Sequence, residues 1–395
     1  MSSKAEYKTL VDNMKILFVP TSYPDESNPT RDIFIQEQAV ALSKAGHDIR
    51  VLHAQKQPSK KILSKIDKNI KTVSDSYVIR YSVPVKTLME DRFILPNKRA
   101  FLKTIKSLYV SATADGWKPD VIYAHFSCWA GYAATELGKK YDIPVVVMEH
   151  YSGFMSESVP KKMIQGLKKV VDTADAFICV SNNLKTSVIQ KTKTNRSIDV
   201  IPNMLDPSFK YVDHVLKDKF VFCAVCNLNE RKRVKELVIA FCKAFDRDTQ
   251  VRLIIGGDGP EYKKISEYII SNGREEQILM LGRLDRKGTV ELYNKSNCFV
   301  LVSAHETFGI VWREAMSTGL PVITSNHEGW SVLDWSDDFG IMVPVDNEEQ
   351  LISALKTMQK NHGRFDGLSI SKYCQKHYSE AAVVRQIEAV FNRVC

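Results

Sequence analysis

Apolar residues are grouped along this chain in short unbroken runs, and the runs are separated by longer stretches in which apolar residues recur with helical spacing. The runs begin near Lys15, Asp48, Pro119, Ile143, Phe220, Val251, Ile278 and Cys298. Unbroken apolar runs of this length are typical of strands that are buried on both faces of a parallel sheet. Because parallel strands need crossover helices between them, the pattern predicts an α/β protein with doubly wound sheets.

The first repeating unit is visible in full at the start of the chain. A strand is predicted at Lys15–Pro20, after a polar lead, and a helix at Ile33–Ala45, which Gly46 ends. Between them lies Thr21–Asp32, which is dense in turn-forming residues and predicts a long loop. A strand at Asp48–His53 completes the unit. Loops at the carboxyl ends of parallel strands are where such folds bind ligands.

With 395 residues, the chain is too long for one ordinary hydrophobic core. We expect two domains, with the crossing between residues 200 and 215. Hydrophobic residues make up 44% and charged residues 26%, as in soluble globular proteins. No apolar stretch is long enough to cross a bilayer and none resembles a signal peptide, which predicts a cytoplasmic protein.

The net charge of +9 indicates that the protein has an anionic partner. Residues 56–71 carry six lysines, and apolar residues between them are spaced for one helical face, which predicts a basic amphipathic helix. Such a helix is either an ordinary solvated surface helix or a contact with anionic lipid on the inner face of a membrane. Nucleic-acid binding is disfavoured, since the lysines lack interleaved stacking aromatics.

Two of the eight cysteines, Cys223 and Cys226, form a C-x-x-C pair. No second pair follows at the spacing of a zinc ribbon, and both residues lie inside an apolar run. We therefore expect buried structural thiols rather than a metal or redox site.

The most informative stretch of the chain runs from residue 297 to residue 332. Its apolar run Cys298–Val302 predicts a buried strand, and a helix follows from about Gly309. Glu306 lies in the loop and Glu314 lies in the helix, with seven residues between them. The free backbone N–H groups near Phe308–Val311 form a helix N-terminus, which is a natural seat for a phosphate. Two carboxylates around an anion-binding site suit a ligand that carries both hydroxyl groups and a diphosphate.

The motif E-x7-E, with an internal F-G and a following G-L-P-V, resembles the retaining glycosyltransferases of the GT-B fold, family 4 in particular. The resemblance extends over nearly the whole chain. It implies two Rossmann-like doubly wound domains that face a cleft, with a C-terminal helix that crosses back to the first domain. Residues 1–205 and the final helix 379–395 would bind the acceptor, and residues 206–378 would bind a nucleotide-sugar donor.

On the donor side, the resemblance assigns the sugar hydroxyls to Glu306 and the ribose hydroxyls to Glu314. It places the diphosphate near Lys232 and the backbone of Phe308, Gly309, Ile310 and Val311. The family signature G-R-L-x-x-x-K-G has its lysine at Lys232, but Asn227 stands where the arginine is expected. Arg231 or Arg233 is expected to supply that charge. The turn G-G-D-G-P-E at Gly257 also matches family 4, and Arg283 and Leu284 would lie against the base.

On the acceptor side, two predicted strands end in His125 and His150. The second aligns with the histidine that the family places beside donor sugar and acceptor, and Tyr151 follows it. Glycine is usual in the loop after the first strand, where this chain has Arg31 and Asp32. We expect a side-chain contact from Arg31 there. His150, Glu306 and Lys232 are the residues that would carry catalysis.

The resemblance implies a retaining glycosyltransferase that uses a UDP- or GDP-sugar and a saccharide or lipid-linked acceptor, in bacterial surface polysaccharide synthesis. No D-x-D sequence is placed as a metal site, so we expect no cofactor and no metal, with basic side chains in place of a cation. Two alternatives stay open. One is an epimerase of nucleotide sugars with the same fold, and the other is a non-catalytic nucleotide-sugar-binding component of a glycan assembly complex.

Overall fold

The computed structural model describes residues 13–26, 28, 31–59, 69–74, 76–87, 94–214, 219–306, 308–326 and 335–395. Residues 1–12, which hold most of the predicted polar lead, lie outside that part of the chain. Two compact units are formed. One takes in the chain up to Met204 and again Glu380–Cys395, and the other is Leu205–Ser379.

The strands of the first unit are β1 (Lys15–Pro20), β2 (Asp48–Pro58), β3 (Lys71–Ser74), β4 (Val78–Thr87), β5 (Val121–His125), β6 (Val145–Glu149), β7 (Ala176–Cys179) and β8 (Asp199–Val200). Within the described residues they form one sheet in the order β3-β4-β2-β1-β5-β6-β7-β8. Neighbours are parallel except β3 and β4, which are antiparallel. Every residue of β5 and β6 is buried, as expected for central strands that are covered on both faces.

The helices of this unit up to residue 204 are α1 (Ile33–Lys44), α2 (Ile94–Ala112), α3 (Tyr132–Tyr141), α4 (Lys161–Thr173) and α5 (Asn182–Thr192). A π-helical turn, Ser127–Gly131, follows β5, and a 3-10 turn, Ser152–Met155, follows β6. Ser181 caps α5 by accepting a hydrogen bond from the Leu184 N–H group. The predicted first strand and first helix are therefore confirmed.

The predicted basic helix at 56–71 is wrong at both ends. Lys56 lies in β2, and Lys71 opens β3. Residues 60–68, which hold most of its lysines, lie outside the described part of the chain. Strand β2 extends to Pro58 because β4 pairs with it from Ile49 to Pro58, and strand pairing of that length overrides a local helical spacing.

The second unit has the strands β9 (Phe220–Val225), β10 (Val251–Gly256), β11 (Ile278–Gly282), β12 (Cys298–Leu301), β13 (Val322–Ser325) and β14 (Gly340–Val343). They form a parallel sheet in the order β11-β10-β9-β12-β13-β14. Its helices are α6 (Val234–Ala244), α7 (Tyr262–Ser271), α8 (Arg286–Asn294), α9 (Ile310–Ser317), α10 (Glu348–Lys360) and α11 (Gly367–Tyr378). The doubly wound sheet that the apolar runs predict is present here.

The last helix, α12 (Glu380–Val394), belongs to the first unit and packs on α1 and β6. The ring of Phe391 meets the ring of Tyr123 edge-on at 5.2 Å. Buried His47 accepts a hydrogen bond from the Met14 N–H group at Nδ1, so its Nε2 carries the proton and donates to Glu388 at 3.1 Å. These contacts fix α12 against the amino-terminal sheet.

Candidate active site

The order of the second sheet reverses between β9 and β12. These two strands are neighbours, while β10 lies beyond β9 and β13 lies beyond β12. In open α/β sheets, the loops at the carboxyl ends of such a pair leave a crevice between them. The segments that follow β9 and β12 therefore line one crevice.

Lys232 and Glu306 meet in this crevice. Lys232 ends a 3-10 turn after β9, and Glu306 lies in the loop after β12. Their side chains form an ion pair, although the residues lie 74 positions apart, and they are only 12% and 13% exposed. The N–H group of Ala304 donates to the carbonyl of Arg231 at 2.8 Å and ties the two loops together. A cation and a carboxylate are thus held side by side at the strand ends.

Helix α9 begins beside this pair with an open N-terminus. Its N-cap residue, Gly309, is left-handed with φ 68° and supplies no side-chain cap, and the first turn has no acidic residue. A Cβ atom at Gly309 would lie 2.2 Å from the Trp312 ring, so only glycine fits. The first backbone N–H groups of α9, which belong to Ile310 and Val311, are therefore oriented for an anion.

Glu314, one turn into α9, is buried and paired. It accepts a hydrogen bond from Nη1 of Arg286 at 2.7 Å. The same guanidinium lies 3.7 Å from the carboxylate of Asp206 and 5.2 Å from the ring centre of Phe209. Arg286 was not predicted from the sequence, in which its only signal is a basic residue at the start of a helix. The Arg286 guanidinium fixes the orientation of Glu314, the second carboxylate of the E-x7-E motif.

Arg313 is the second residue that the sequence analysis missed. Its side chain is buried, and its guanidinium lies 4.1 Å from the Phe308 ring centre and 5.1 Å from the Tyr378 ring centre. Nη1 donates to the carbonyl of Phe308. The Arg313 side chain therefore pairs with the backbone that leads into α9.

Asparagine carries no charge, so the positive charge expected at position 227 is absent. The Asn227 side chain is exposed and lies against Gly259. Of the two candidate replacements, Arg233 forms an ion pair with Asp346. Arg231 is exposed, in the turn that also carries Lys232. Arg233 also has the left-handed φ of 55° and occupies the last glycine position of the signature. Its backbone thus takes the shape that glycine favours.

Gly257, Arg283 and Leu284 lie at the carboxyl ends of β10 and β11. A Cβ atom at Gly257 would lie 1.9 Å from the carbonyl oxygen of Cys226, so the residue is required for close packing of neighbouring strands. Its N–H group donates to Gly282 at 2.7 Å. Leu284 packs against Gly256, and Arg283 is exposed.

In the first unit, the strand order reverses between β1 and β5. His125 ends β5, and His150 follows β6, so both lie at the carboxyl ends of central strands. Nδ1 of His125 and Nε2 of His150 lie 3.1 Å apart, which makes one ring a donor and the other an acceptor. Burial lowers the pKa of His150 to about 3, and the neighbouring Asn203 side chain acts in the opposite direction. Burial lowers the pKa of His125 well below its ordinary value, and the neighbouring His150 ring acts in the same direction.

Glu149 anchors the segment that carries His150. Its carboxylate is buried and accepts hydrogen bonds at 2.9 Å from the N–H groups of Ser127, His150 and Tyr151. Burial raises the pKa of Glu149, while these donors lower it. Phe126 turns the chain at the end of β5 with φ 70°, a conformation that is costly for a bulky residue, and its ring lies 5.2 Å from that of His150.

The loop after β1 departs from the family pattern in sequence but not in backbone shape. Asp32 is left-handed with φ 48° and ψ 39°, the region that glycine favours and aspartate tolerates. Its carboxylate accepts a hydrogen bond from the hydroxyl of Ser22. Arg31 is exposed and lines a polar pocket of about 230 Å³. Tyr151 is 44% exposed, with its ring over Gly153.

Cys223 and Cys226 are free and buried, as predicted, and burial raises the pKa of each thiol to about 12. Within the described ranges, no three His, Cys, Asp or Glu side chains are grouped so that they could hold a metal ion. No helix among these described residues has the length and apolar character to span a membrane.

Comparison with protein-family models gives two adjoining matches. Residues 33–209 match the model described as Glycosyltransferase Family 4, and residues 210–369 match the model described as Glycosyl transferases group 1. The two matches meet at residues 209 and 210, close to residues 204 and 205, where the chain passes from its first unit to its second.

Curated relatives are distant. N-acetyl-alpha-D-glucosaminyl L-malate synthase of Bacillus anthracis is 26% identical over 234 residues, which are 56% of this chain and 60% of that protein. The match thus spans less than two thirds of that relative. Alpha-monoglucosyldiacylglycerol synthase of Streptococcus pneumoniae is 21% identical over 333 residues, which are 78% of this chain and 70% of that protein.

Solved structures show the same fold. A sucrose-phosphate synthase from Thermosynechococcus elongatus matches with a TM-score of 0.76 and 18% identity, over 96% of this chain and 98% of that one. The Anabaena protein HepE, solved in complex with UDP, matches with a TM-score of 0.71 and 17% identity, over 96% and 100%. At such identities the likeness speaks for the fold alone.

Proposed function

This chain belongs to the glycosyltransferase family that these models describe, group 1 and family 4 of the GT-B fold, and on that premise we propose that it transfers a sugar from a nucleoside-diphosphate sugar to a glycan or lipid-linked acceptor. The observation that carries the proposal is the Lys232–Glu306 pair beside the uncapped N-terminus of α9. A cation and free N–H groups suit a diphosphate, and carboxylates suit sugar hydroxyls.

The donor diphosphate lies at the start of α9, where Lys232 turns from Glu306 to the phosphate oxygens. When the bond between the sugar C1 and the β-phosphate oxygen breaks, negative charge grows on the departing diphosphate. Lys232, Arg231 and the N–H groups of Ile310 and Val311 stabilise that charge without a metal ion. Glu306 is then free to accept hydrogen bonds from the sugar, and Glu314 accepts them from the ribose.

The acceptor binds to the first unit near His150. The acceptor hydroxyl attacks C1 on the face that the diphosphate leaves, and its proton passes to the departing phosphate oxygen, so the anomeric configuration is retained. The neutral ring of His150 offers hydrogen bonds to sugar hydroxyls without adding charge. We place the reaction in bacterial surface polysaccharide synthesis, with a UDP- or GDP-sugar as donor. HepE, solved with UDP, supports the first of these nucleotides.

A transfer assay in EDTA tests this proposal. The full chain is incubated with labelled UDP-glucose, UDP-N-acetylglucosamine, UDP-galactose or GDP-mannose, with and without a set of lipid-linked saccharide acceptors. We expect an α-linked product from one donor, identified by the anomeric coupling in the NMR spectrum. A β-linked product would contradict retention, and loss of activity in EDTA would contradict metal independence. Conversion of the donor without acceptor would identify an epimerase.

A further inference from the structure

In the first unit, the paired strands β2 and β4 extend beyond the strand next to them. β1 pairs with β2 only as far as Val51, whereas β4 pairs with β2 as far as Pro58. The extension lies at the carboxyl end of β2, the end of a parallel strand at which α/β folds bind ligands. It therefore adds side chains to the edge of the sheet where a ligand would lie.

One face of this extension carries polar side chains on three neighbouring strands. Because directly paired residues point to the same face, the register places His53 of β2 beside Ser82 of β4, and Ser82 beside Lys71 of β3. Arg80 lies two positions before Ser82, and Gln55 lies two positions after His53, so both share this face. All five residues line the polar pocket of about 230 Å³. The floor of the polar pocket is thus built on paired strands.

His53 is the buried polar group of this pocket. Its side chain is 3% exposed, and its Nδ1 atom has no hydrogen-bond partner among the described residues. Its ring centre lies 5.9 Å from that of Tyr23. A buried ring nitrogen without a partner costs free energy unless another molecule supplies the hydrogen bond. The polar pocket therefore offers a hydrogen-bonding position to a ligand.

Arg80 supplies a positive charge beside this ring. Its Nη1 atom donates to the carbonyl of Pro24 at 2.8 Å, while its Nε atom is buried and has no hydrogen-bond partner. Lys71, on the edge strand β3, is exposed, and its carbonyl accepts a hydrogen bond from the hydroxyl of Ser82 at 3.4 Å. Within the part of the chain that the structure describes, neither Arg80 nor Lys71 forms an ion pair with a carboxylate. Their charges are therefore available to an anion.

The loop after β1 adds charges of both signs to the polar pocket. Asp25, Glu26 and Arg31 line it from that loop. Burial and then the charge of Arg80 lower the pKa of His53, Asp25 raises it, and Arg31 lowers it. The charges around the buried ring are thus predominantly positive, with Arg80 acting most strongly.

Thr21 connects the polar pocket to the histidine pair. It lines the pocket, and its hydroxyl donates to the carbonyl of His125 at 3.2 Å and accepts from the N–H group of Ala130 at 3.3 Å. The ring of His125 pairs with that of His150, which we assign to the acceptor. A ligand in the polar pocket would therefore lie close to the proposed acceptor position.

We propose that the polar pocket binds the negatively charged group, a carboxylate or a phosphate, of a sugar unit in the acceptor. The anion lies against Arg80 and Lys71, and His53 hydrogen-bonds to the same sugar unit. The amide of Gln55 hydrogen-bonds to its hydroxyl groups. The identification of the ligand as the acceptor rests on the function proposed above. A neutral acceptor would leave the partly buried charge of Arg80 without a counter-charge.

Calorimetric titration of the full chain tests the inference without any sugar donor. The probes are methyl α-D-glucuronide, glucose 6-phosphate, methyl α-D-glucoside and inorganic phosphate, and excess UDP is present to occupy the donor site. We expect one charged sugar to bind about ten-fold more tightly than both methyl glucoside and inorganic phosphate. Preference for the glucuronide indicates a carboxylate, and preference for glucose 6-phosphate indicates a phosphate.

Three results of these titrations would overturn the inference. The first is equal affinity for charged and neutral sugars, and the second is no binding of either charged sugar. The third is binding of inorganic phosphate as tight as that of glucose 6-phosphate without binding of the glucuronide, which would show a simple anion site.

Variants give the residue-level test. Arg80→Gln should weaken binding of the preferred charged sugar by about ten-fold and leave methyl glucoside unchanged, and Arg80→Lys should restore part of the affinity. Arg99→Gln is the matched control, because Arg99 is exposed on α2 and is not among the described residues that line the polar pocket. If Arg80→Gln does not fold, Lys71→Gln takes its place, since Lys71 lies on an exposed edge strand. Equal loss in Arg80→Gln and Arg99→Gln would overturn the inference.

UDP binding is measured in every variant. Since UDP is assigned to the second unit, absence of UDP binding in the unmodified chain counts against the proposed function and not against the polar pocket. Normal UDP binding without binding of a charged sugar counts against the polar pocket alone.

Discussion

At the scale of single residues, the site consists of charges that are paired before any ligand is present. Lys232 is paired with Glu306, and Glu314 is paired with Arg286. The sequence predicted three of these four residues, because each stands in a family motif. Arg286 could not be predicted in this way, since it stands in no family motif and its partner lies 28 positions away in another helix.

We expect Lys232→Ala to lower turnover by about 10² to 10³-fold while the protein stays folded at the assay temperature, because Lys232 stabilises charge that appears only in the transition state. Turnover and thermal unfolding are measured on the same preparations. Lys243→Ala is the control. It removes an exposed ion pair with Glu348 in the same unit and should leave turnover unchanged. Near-normal turnover in Lys232→Ala would refute the assigned role.

We expect Arg286→Gln to raise KM for the donor by roughly ten-fold with little change in kcat, because Glu314 loses the hydrogen bond that orients it toward the ribose. Arg286→Lys should recover part of the affinity. Lys287→Ala, at the adjacent and largely exposed position, is the control. A fall in kcat at constant KM would contradict a positioning role.

The buried ring of His53 makes the free energy of unfolding depend on pH. This ring is only 3% exposed, and burial and the charge of Arg80 lower its pKa to about 4. Between pH 6.5 and about 4, the unfolded chain therefore binds more protons than the folded chain, and stability falls as the pH falls. His53→Gln should reduce that slope by up to about 1.4 kcal/mol per pH unit. Denaturation midpoints from pH 7 to pH 4.5 check this, and an unchanged slope would contradict it.

At the scale of elements, several helix starts depend on left-handed residues. Asp32, Arg233 and Gly309 precede α1, α6 and α9, and only the last is glycine. The residue types at Asp32 and Arg233 concealed the shared backbone shape from the sequence analysis. The helix predicted over 56–71 is wrong at its two ends for a related reason, since the pairing of β4 with β2 and with β3 is not visible in local spacing.

Arg233→Gly separates the two candidates for the missing diphosphate charge. Glycine relieves the left-handed strain, and the lost pair with largely exposed Asp346 contributes little, so we expect stability to be unchanged or raised by up to about 1 kcal/mol. Turnover should persist. Arg231→Ala should lower turnover about ten-fold. The reverse order of the two turnover effects would assign the diphosphate to Arg233.

At the scale of the whole molecule, the alternation of apolar runs and helical stretches predicted two doubly wound sheets, and both are present. The crossing between the domains was predicted between residues 200 and 215, and the first unit passes to the second at residues 204 and 205. Strands β3 and β4 and helix α2 were not predicted. The first unit also contains a cavity of about 320 Å³ that was not predicted, and Lys98 of α2 is part of its lining. A cavity depends on side chains from segments far apart in sequence, and spacing along one segment cannot show it.

The most direct test of a donor site in the second unit is thermal unfolding in EDTA with added UDP, GDP and their sugars. A ligand that binds only the folded chain raises its midpoint by mass action. We expect one nucleotide and its sugar to raise the midpoint of the unmodified chain and to lose most of that effect in Glu314→Gln. No shift with any of these ligands, or a shift that requires a divalent metal ion, would contradict the proposal.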